Sequence, residues 1–226
     1  MEESTQKKEN SGQSLVVSYM TIRKAVGVLG MLLPVILVTG LFFFKNCAAV
    51  QPSISDYYYT RMSSFFTGTL CAVALFLFSY KGYDKKDSFA SNLAGAFALG
   101  VAFFPTSPNP DSSPCNIFNI TGDATVNIIH FISATLFFLA LAYMSYFLFT
   151  KSSGHPTREK KMRNNVYKTC AVIIVLSIVG IMLYFEVKAL KDLLSGYNIV
   201  FYLETIALWA FGFSWLTKGE FLLKDR

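Results

Sequence analysis

Along its length the chain alternates long apolar stretches that carry no charge with short segments rich in Lys, Asp, Asn, Pro and Ser. A helix needs roughly 20 mostly apolar residues to cross a hydrocarbon core of about 30 Å. Six stretches fit that requirement, at about 25–44, 62–80, 89–105, 125–150, 169–185 and 199–216. The pattern therefore predicts an all-α fold, a polytopic membrane protein built as a six-transmembrane-helix bundle. The first stretch is too long for the apolar region of a cleaved signal peptide, and no small-residue cleavage pattern follows it, so it reads as a retained helix. Residues 1–18 are polar and lack an apolar face, which predicts a disordered cytoplasmic tail ahead of the helical domain 19–226. No repeat of 20 to 50 residues is visible, and the spans show no matching halves of the kind many transporters carry.

The basic residues give the bundle its expected orientation. Of the 20 Lys and Arg, 16 fall in the N-terminal tail, around 81–86, in 151–168 and in the C-terminal tail, and 4 fall in the three alternate loops. Basic residues concentrate on the cytoplasmic side, so both termini are expected there. Only 15% of the residues are charged, against about 25% in an ordinary soluble domain, and the mean hydropathy is +0.44. This composition argues against a water-soluble enzyme. The formal net charge of +6 follows from the topology and from anionic headgroups, and is not read as nucleic-acid binding. Membrane lipids are the expected partners, homo-oligomerisation stays open, and the expected location is a plasma membrane, most simply a bacterial cytoplasmic membrane.

Several local patterns bear on packing. Ala90, Ala94, Ala98 and Ala102 recur every fourth residue, with Gly95 and Gly100 beside them, which predicts the third span as the central, most contacted helix. Pro34 should bend the first span. Ser53 after Pro52, with Asp56 three residues on, fits a capping box, so the second helix is expected to start there and protrude outward. Tyr57, Tyr58 and Tyr59 would then lie in the headgroup layer, while Trp209 and Trp215 read as belt and packing residues.

Ionisable groups inside a span are costly, and each is a candidate site. His130 lies five residues into the fourth span and Glu204 five residues into the sixth. Both helices enter from the outside, so at about 1.5 Å per residue the two groups share a depth. They are expected to form a buried pair, to line an outer-leaflet pocket with Asp56, Ser55 and Asn127 above it, or, third, not to touch. The sequence offers no metal-binding spacing, G-x-S-x-G elbow, P-loop or dinucleotide fingerprint, so no metal or cofactor is expected. Asp84 and Asp87 among Lys81, Lys85 and Lys86, and the basic stretch Arg158 to Arg163, read as solvated or lipid-facing charges, with a clasp to Glu220 or to each other as the alternative. Cys47 and Cys115 fall in outside loops and could form a disulfide; Asn119–Ile120–Thr121 is a glycosylation sequon that matters only in a eukaryotic secretory pathway.

The succession Ser53-Ile54-Ser55-Asp56-Tyr57-Tyr58, Gly82-Tyr83-Asp84, Phe104-Pro105-Thr106, His130 ahead of Phe137-Phe138, Arg163-Asn164 and Ser214-Trp215-Leu216-x-Lys218-Gly219 resembles the bacterial branch of the DRAM/Frag-type six-span membrane proteins. The resemblance covers about residues 25–220 and implies a six-helix bundle associated with lipid sensing or membrane organisation, with no established reaction. The leading expectation is a non-enzymatic membrane protein that binds or senses a lipid-like ligand in an outer-leaflet pocket walled by His130 and Glu204. The alternative is a membrane-embedded lipid hydrolase in which Glu204 or Asp56 holds a metal or activates water and His130 shuttles the proton. A proton-coupled transporter using Glu204, with Asn92 and Ser145 on its inner path, ranks third.

Overall fold

The computed structural model describes residues 2–44, 50–82, 84–108, 117, 122–152, 154–155 and 157–221, with side chains from residue 20 onward. Cys47 and Cys115, and with them the expected disulfide, lie outside the described residues, as does the Asn119–Thr121 sequon. The fold is all-α. Its helices are α1 Glu2–Phe42, α2 Ser63–Ser79, α3 Lys85–Phe103, α4 Ala124–Tyr143, α5 Arg158–Glu186, α6 Lys188–Leu194 and α7 Ile199–Lys218. A 3₁₀ turn, Ser55–Tyr59, precedes α2, and a π turn, Met144–Leu148, continues α4.

Four of these helices are long and apolar enough to cross a membrane: Met20–Phe42 of α1, α4 with its π turn, α5 and α7. This is the composition of a membrane helical bundle. Helix α2 is equally apolar but only 17 residues long. Helix α3 has 19 residues, and its first turn carries Lys85, Lys86 and Asp87. The expected spans correspond to six of the helices, while α6 is an exposed addition between α5 and α7.

The bundle is a closed ring in which α1 packs on α2, α2 on α3, α3 on α4, α4 on α5, α5 on α7, and α7 back on α1. Its interior is filled in two layers. One gathers Trp215, Tyr80, Phe149, Tyr167, Phe211 and Phe137, with Trp215 meeting Tyr80 and Phe149 edge-on at centroid distances of 5.2 and 5.3 Å. The other gathers Tyr57, Phe66, Phe201, Leu33, Leu37 and Leu41.

Three expectations about packing are corrected. The alanine stripe of α3 is buried as its spacing implied, but the most enclosed helix is α7, with 61% of its apolar window covered against 22–39% for the other three candidate spans. Glycine brings one of the neighbours of α7, helix α1, close. A methyl group on Gly212 would stand 2.6 Å from the Gly27 carbonyl oxygen, so α1 and α7 cross at backbone contact. Helix α1 runs back to Glu2 through the polar tail expected to be disordered, a segment free of proline; it also continues through Pro34. The chain after Pro52 does not start a protruding helix. Ser53 and Asp56 do bond reciprocally, each backbone N–H to the other's side chain at 3.1 Å, but they open only the short 3₁₀ turn. Thr60 is extended, with its hydroxyl on the Tyr57 carbonyl at 2.9 Å, and separates that turn from α2. Tyr57 and Tyr59 are consequently buried among protein side chains.

Candidate functional site

One end of the bundle, the end expected to face outward, is closed by residues 50–62, folded down onto the helix ends. Ser55 sits in the 3₁₀ turn with its hydroxyl 2.9 Å from Nε2 of His130, and Nδ1 of His130 lies 2.7 Å from the Phe104 carbonyl oxygen at the end of α3. A carbonyl only accepts, so Nδ1 carries the proton and, in the neutral ring, Nε2 accepts from Ser55. One residue earlier, the Ile54 amide donates to Glu204 of α7 at 2.5 Å. The Phe201 amide reaches the Pro52 carbonyl at 3.0 Å, and the Asn198 amide group reaches that of Val50 at 3.1 Å. The Tyr59 hydroxyl donates to the Thr106 carbonyl. Asn127 accepts from the Ser107 amide at 2.8 Å.

His130 and Glu204 therefore engage consecutive residues of one turn, and no bond joins them to each other. Helix α5 stands between α4 and α7, which meet through Phe137–Phe211 and, at the π turn, Ser145–Ser214; His130 and Glu204 bond the loop and not each other, so the expected direct pair is not formed. Asp56 is buried and spent on the Ser53 cap. Burial pushes its carboxyl above 3.8, while the side-chain and backbone bonds to Ser53 pull the other way. Burial also pushes the Tyr57 and Tyr59 hydroxyls up to about 12. Ser55, His130 and Glu204 grip the loop, Asp56 shapes it, and Asn127 holds the neighbouring chain after α3. Among the described residues no three His, Cys, Asp or Glu side chains converge where a metal ion could sit. Ser145 is buried and bonds Ser214 of α7 at 2.8 Å, while Asn92 is exposed on the outside of α3, so these two do not line a common path.

At the opposite end, Asp84 and Asp87 are clasped neither by Glu220 nor by the lysines beside them but by a partner the sequence reading did not name, Lys151. Lys151 reaches Asp84 at 2.9 Å and the fully buried Asp87 at 2.5 Å. Asp84 also caps α3, accepting from the amides of Lys86 and Asp87 at 2.8 and 3.0 Å. The Lys151 contact, the Asp87 amide and the Lys86 amide hold the Asp84 carboxyl down at about 2, and bonds to Asp87 and Asp84 raise Lys151. The π turn leaves the Phe149 carbonyl free of its helix, and the ammonium groups of Lys160 and Lys218 take it at 2.9 and 3.5 Å.

Between the two ends, on the flank where α3 meets α4, runs an open groove of about 550 Å³. Its walls are apolar: Phe89, Leu93 and Phe97 from α3, Leu136, Leu139 and Tyr143 from α4, over a floor containing Ala90 and Ala140. Lys85 and Lys86 stand at one mouth. The sequence reasoning passed over this groove, although the signal is visible. Phe89, Leu93 and Phe97 repeat every fourth residue one position before Ala90, Ala94 and Ala98. Large and small side chains therefore form adjacent stripes on α3.

Comparison with protein-family models, with curated proteins and with solved structures finds no match. The chain is thus characterised by its own geometry, as an all-α protein of membrane-type helices.

Two outcomes check the contacts at the ends. Removing one partner of a buried hydrogen bond costs about 1–3 kcal/mol, so Ser55→Ala and His130→Ala should each loosen the outer loop. Trypsin cleavage after the exposed Arg61 should then be about 5- to 100-fold faster than in the parent if cleavage follows local opening; an unchanged rate would show that the His130–Ser55 bond does not hold the loop. At the other end, Asp84 is an acid lowered from 3.8 to about 2, so its contribution to stability is complete above pH 3.8 and is lost as pH falls through about 2. Asp84→Asn keeps a capping side chain and should flatten that acid limb in thermal unfolding measured in detergent; an identical acid limb would contradict the clasp.

Proposed function

We propose that this chain is a six-span integral membrane protein, with both termini in the cytoplasm, that binds a lipid-like molecule from the side, in the groove between α3 and α4. At 1.5 Å per residue α2 and α3 are about 25 and 28 Å long, close to the hydrocarbon thickness, and they pack antiparallel within the ring. The distribution of Lys and Arg supports the orientation.

The groove is the observation that carries the reading. Its apolar walls open sideways to where acyl chains lie, and its only charged lining is at one end. The outer cluster fits a different role. The polar groups of His130, Glu204 and Asp56 are engaged by the chain's own loop, which makes that cluster a closure and not the ligand seat. The resemblance to DRAM/Frag-type proteins, with its implication of lipid sensing, agrees with this function. We assign no reaction to the protein.

Purified chain examined by native mass spectrometry should retain lipid at about one molecule per chain. Ala140→Phe or Leu139→Trp, each adding bulk at the groove, should weaken that retention about tenfold, the equivalent of about 1.4 kcal/mol of packing. Undiminished retention in both variants, with monodispersity unchanged, would remove the groove from the account.

A further inference from the structure

We infer that the groove between α3 and α4 selects an anionic glycerophospholipid of the cytoplasmic leaflet, its acyl chain lying along Phe89, Leu93 and Phe97 and its phosphate held by Lys85 and Lys86. This rests on the lipid-binding function proposed above and adds the class of ligand. Three observations carry it.

The first is charge. Four ionisable residues fall within four positions at the start of α3, but they are not equivalent. Asp84 and Asp87 are both taken by Lys151, and Asp84 also satisfies the first amides of the helix. Lys85 and Lys86 are exposed and have no carboxylate partner among the described residues. The acids beside them are thus neutralised by a lysine from another segment, and the groove mouth carries two unmatched positive charges.

The second is length. From Lys86 to Phe97 the groove follows about 11 positions of helix, roughly 16 Å, which is about half of a 30 Å hydrocarbon core. One leaflet's acyl chain therefore spans the apolar wall when its headgroup is level with the lysines.

The third is depth and side. Lys85 and Lys86 belong to the segment around 81–86 that the basic-residue distribution assigns to the cytoplasm. Anionic lipids are concentrated in that leaflet of many membranes, and each basic residue near such a surface strengthens binding about fivefold. Two lysines acting together give a preference of about thirtyfold for an anionic over a zwitterionic headgroup. The exposed ring of Phe89, 69% accessible, stands one turn below them, at the boundary between headgroup and chain.

The test uses full-length protein in detergent with equimolar phosphatidylglycerol and phosphatidylcholine of identical acyl chains, with bound lipid counted by native mass spectrometry. The parent should favour phosphatidylglycerol about thirtyfold. The Lys85→Gln, Lys86→Gln double variant should bind the two lipids about equally and unfold at the parent's temperature, because it leaves the Lys151 clasp in place. Equal binding of both lipids by the parent, or a preference that survives in the double variant, overturns the inference. Ala140→Phe and Leu139→Trp separate the two levels of the argument. If they expel lipid while the parent shows no headgroup preference, the groove stands and its anionic selectivity falls. If neither variant changes retention, both fall together.

Discussion

A backbone amide or a charged side chain within a hydrocarbon slab has no water to bond, so the chain itself must supply every partner. That constraint explains why the most specific contacts of this bundle lie at its two ends. At one end the loop after α1 folds back onto the helix ends. Its Ile54 amide is met by Glu204, its Ser55 hydroxyl by His130, and the carbonyls of Val50 and Pro52 by Asn198 and the Phe201 amide. The carboxyl and the imidazole, which would be costlier unpaired, each meet a polar group of the loop. At the other end the same requirement is met by Lys151 on the buried Asp87 and by Lys160 and Lys218 on the Phe149 carbonyl after the π turn.

With both ends sealed, the remaining freedom lies on the flank. Helix α3 places its alanines and Gly95 toward its neighbours, which draws α2 and α4 close, and its Phe89–Leu93–Phe97 stripe then lies beside a shallow channel against α4. Close packing on one stripe and an open apolar wall on the next have a common origin, the four-residue spacing of small and large side chains. The clasp at Lys151 connects this flank to the inner end, since it neutralises Asp84 and Asp87 and leaves Lys85 and Lys86 as the groove's charges. Structure and ligand chemistry therefore meet in the first turn of α3.

Much of this architecture was legible in the sequence. Charge-free runs located six of the helices to within a few residues at most ends, because those helices stop where the chain turns polar; the exceptions are the starts of α1 and α5, which extend through polar residues. His130 and Glu204 were legible as unusual because ionisable groups are costly inside a span, and both do engage polar partners. The identity of those partners was not legible, since Ile54 and Ser55 are far from both residues in the chain and the re-entry of the loop depends on the break at Thr60. The capping pair Ser53–Asp56 was read correctly as a local bond, but how far a helix propagates beyond its cap is decided by tertiary contacts. The dominance of α7 over α3 was missed because the crossing at Gly27 and Gly212 involves one glycine from each of two distant segments, with no periodic stripe to mark it.

The central claim is that α2 and α3 cross the bilayer along with the four longer apolar helices, which brings the lysines at the start of α3 to the cytosolic face. Single cysteines at Lys81→Cys and Ala124→Cys, each in a chain whose own four cysteines are replaced, test it directly. A membrane-impermeant maleimide applied to intact cells should label position 124 at once and position 81 only after permeabilisation. Labelling of both positions from outside would mean that α2 and α3 do not cross, and would contradict the account.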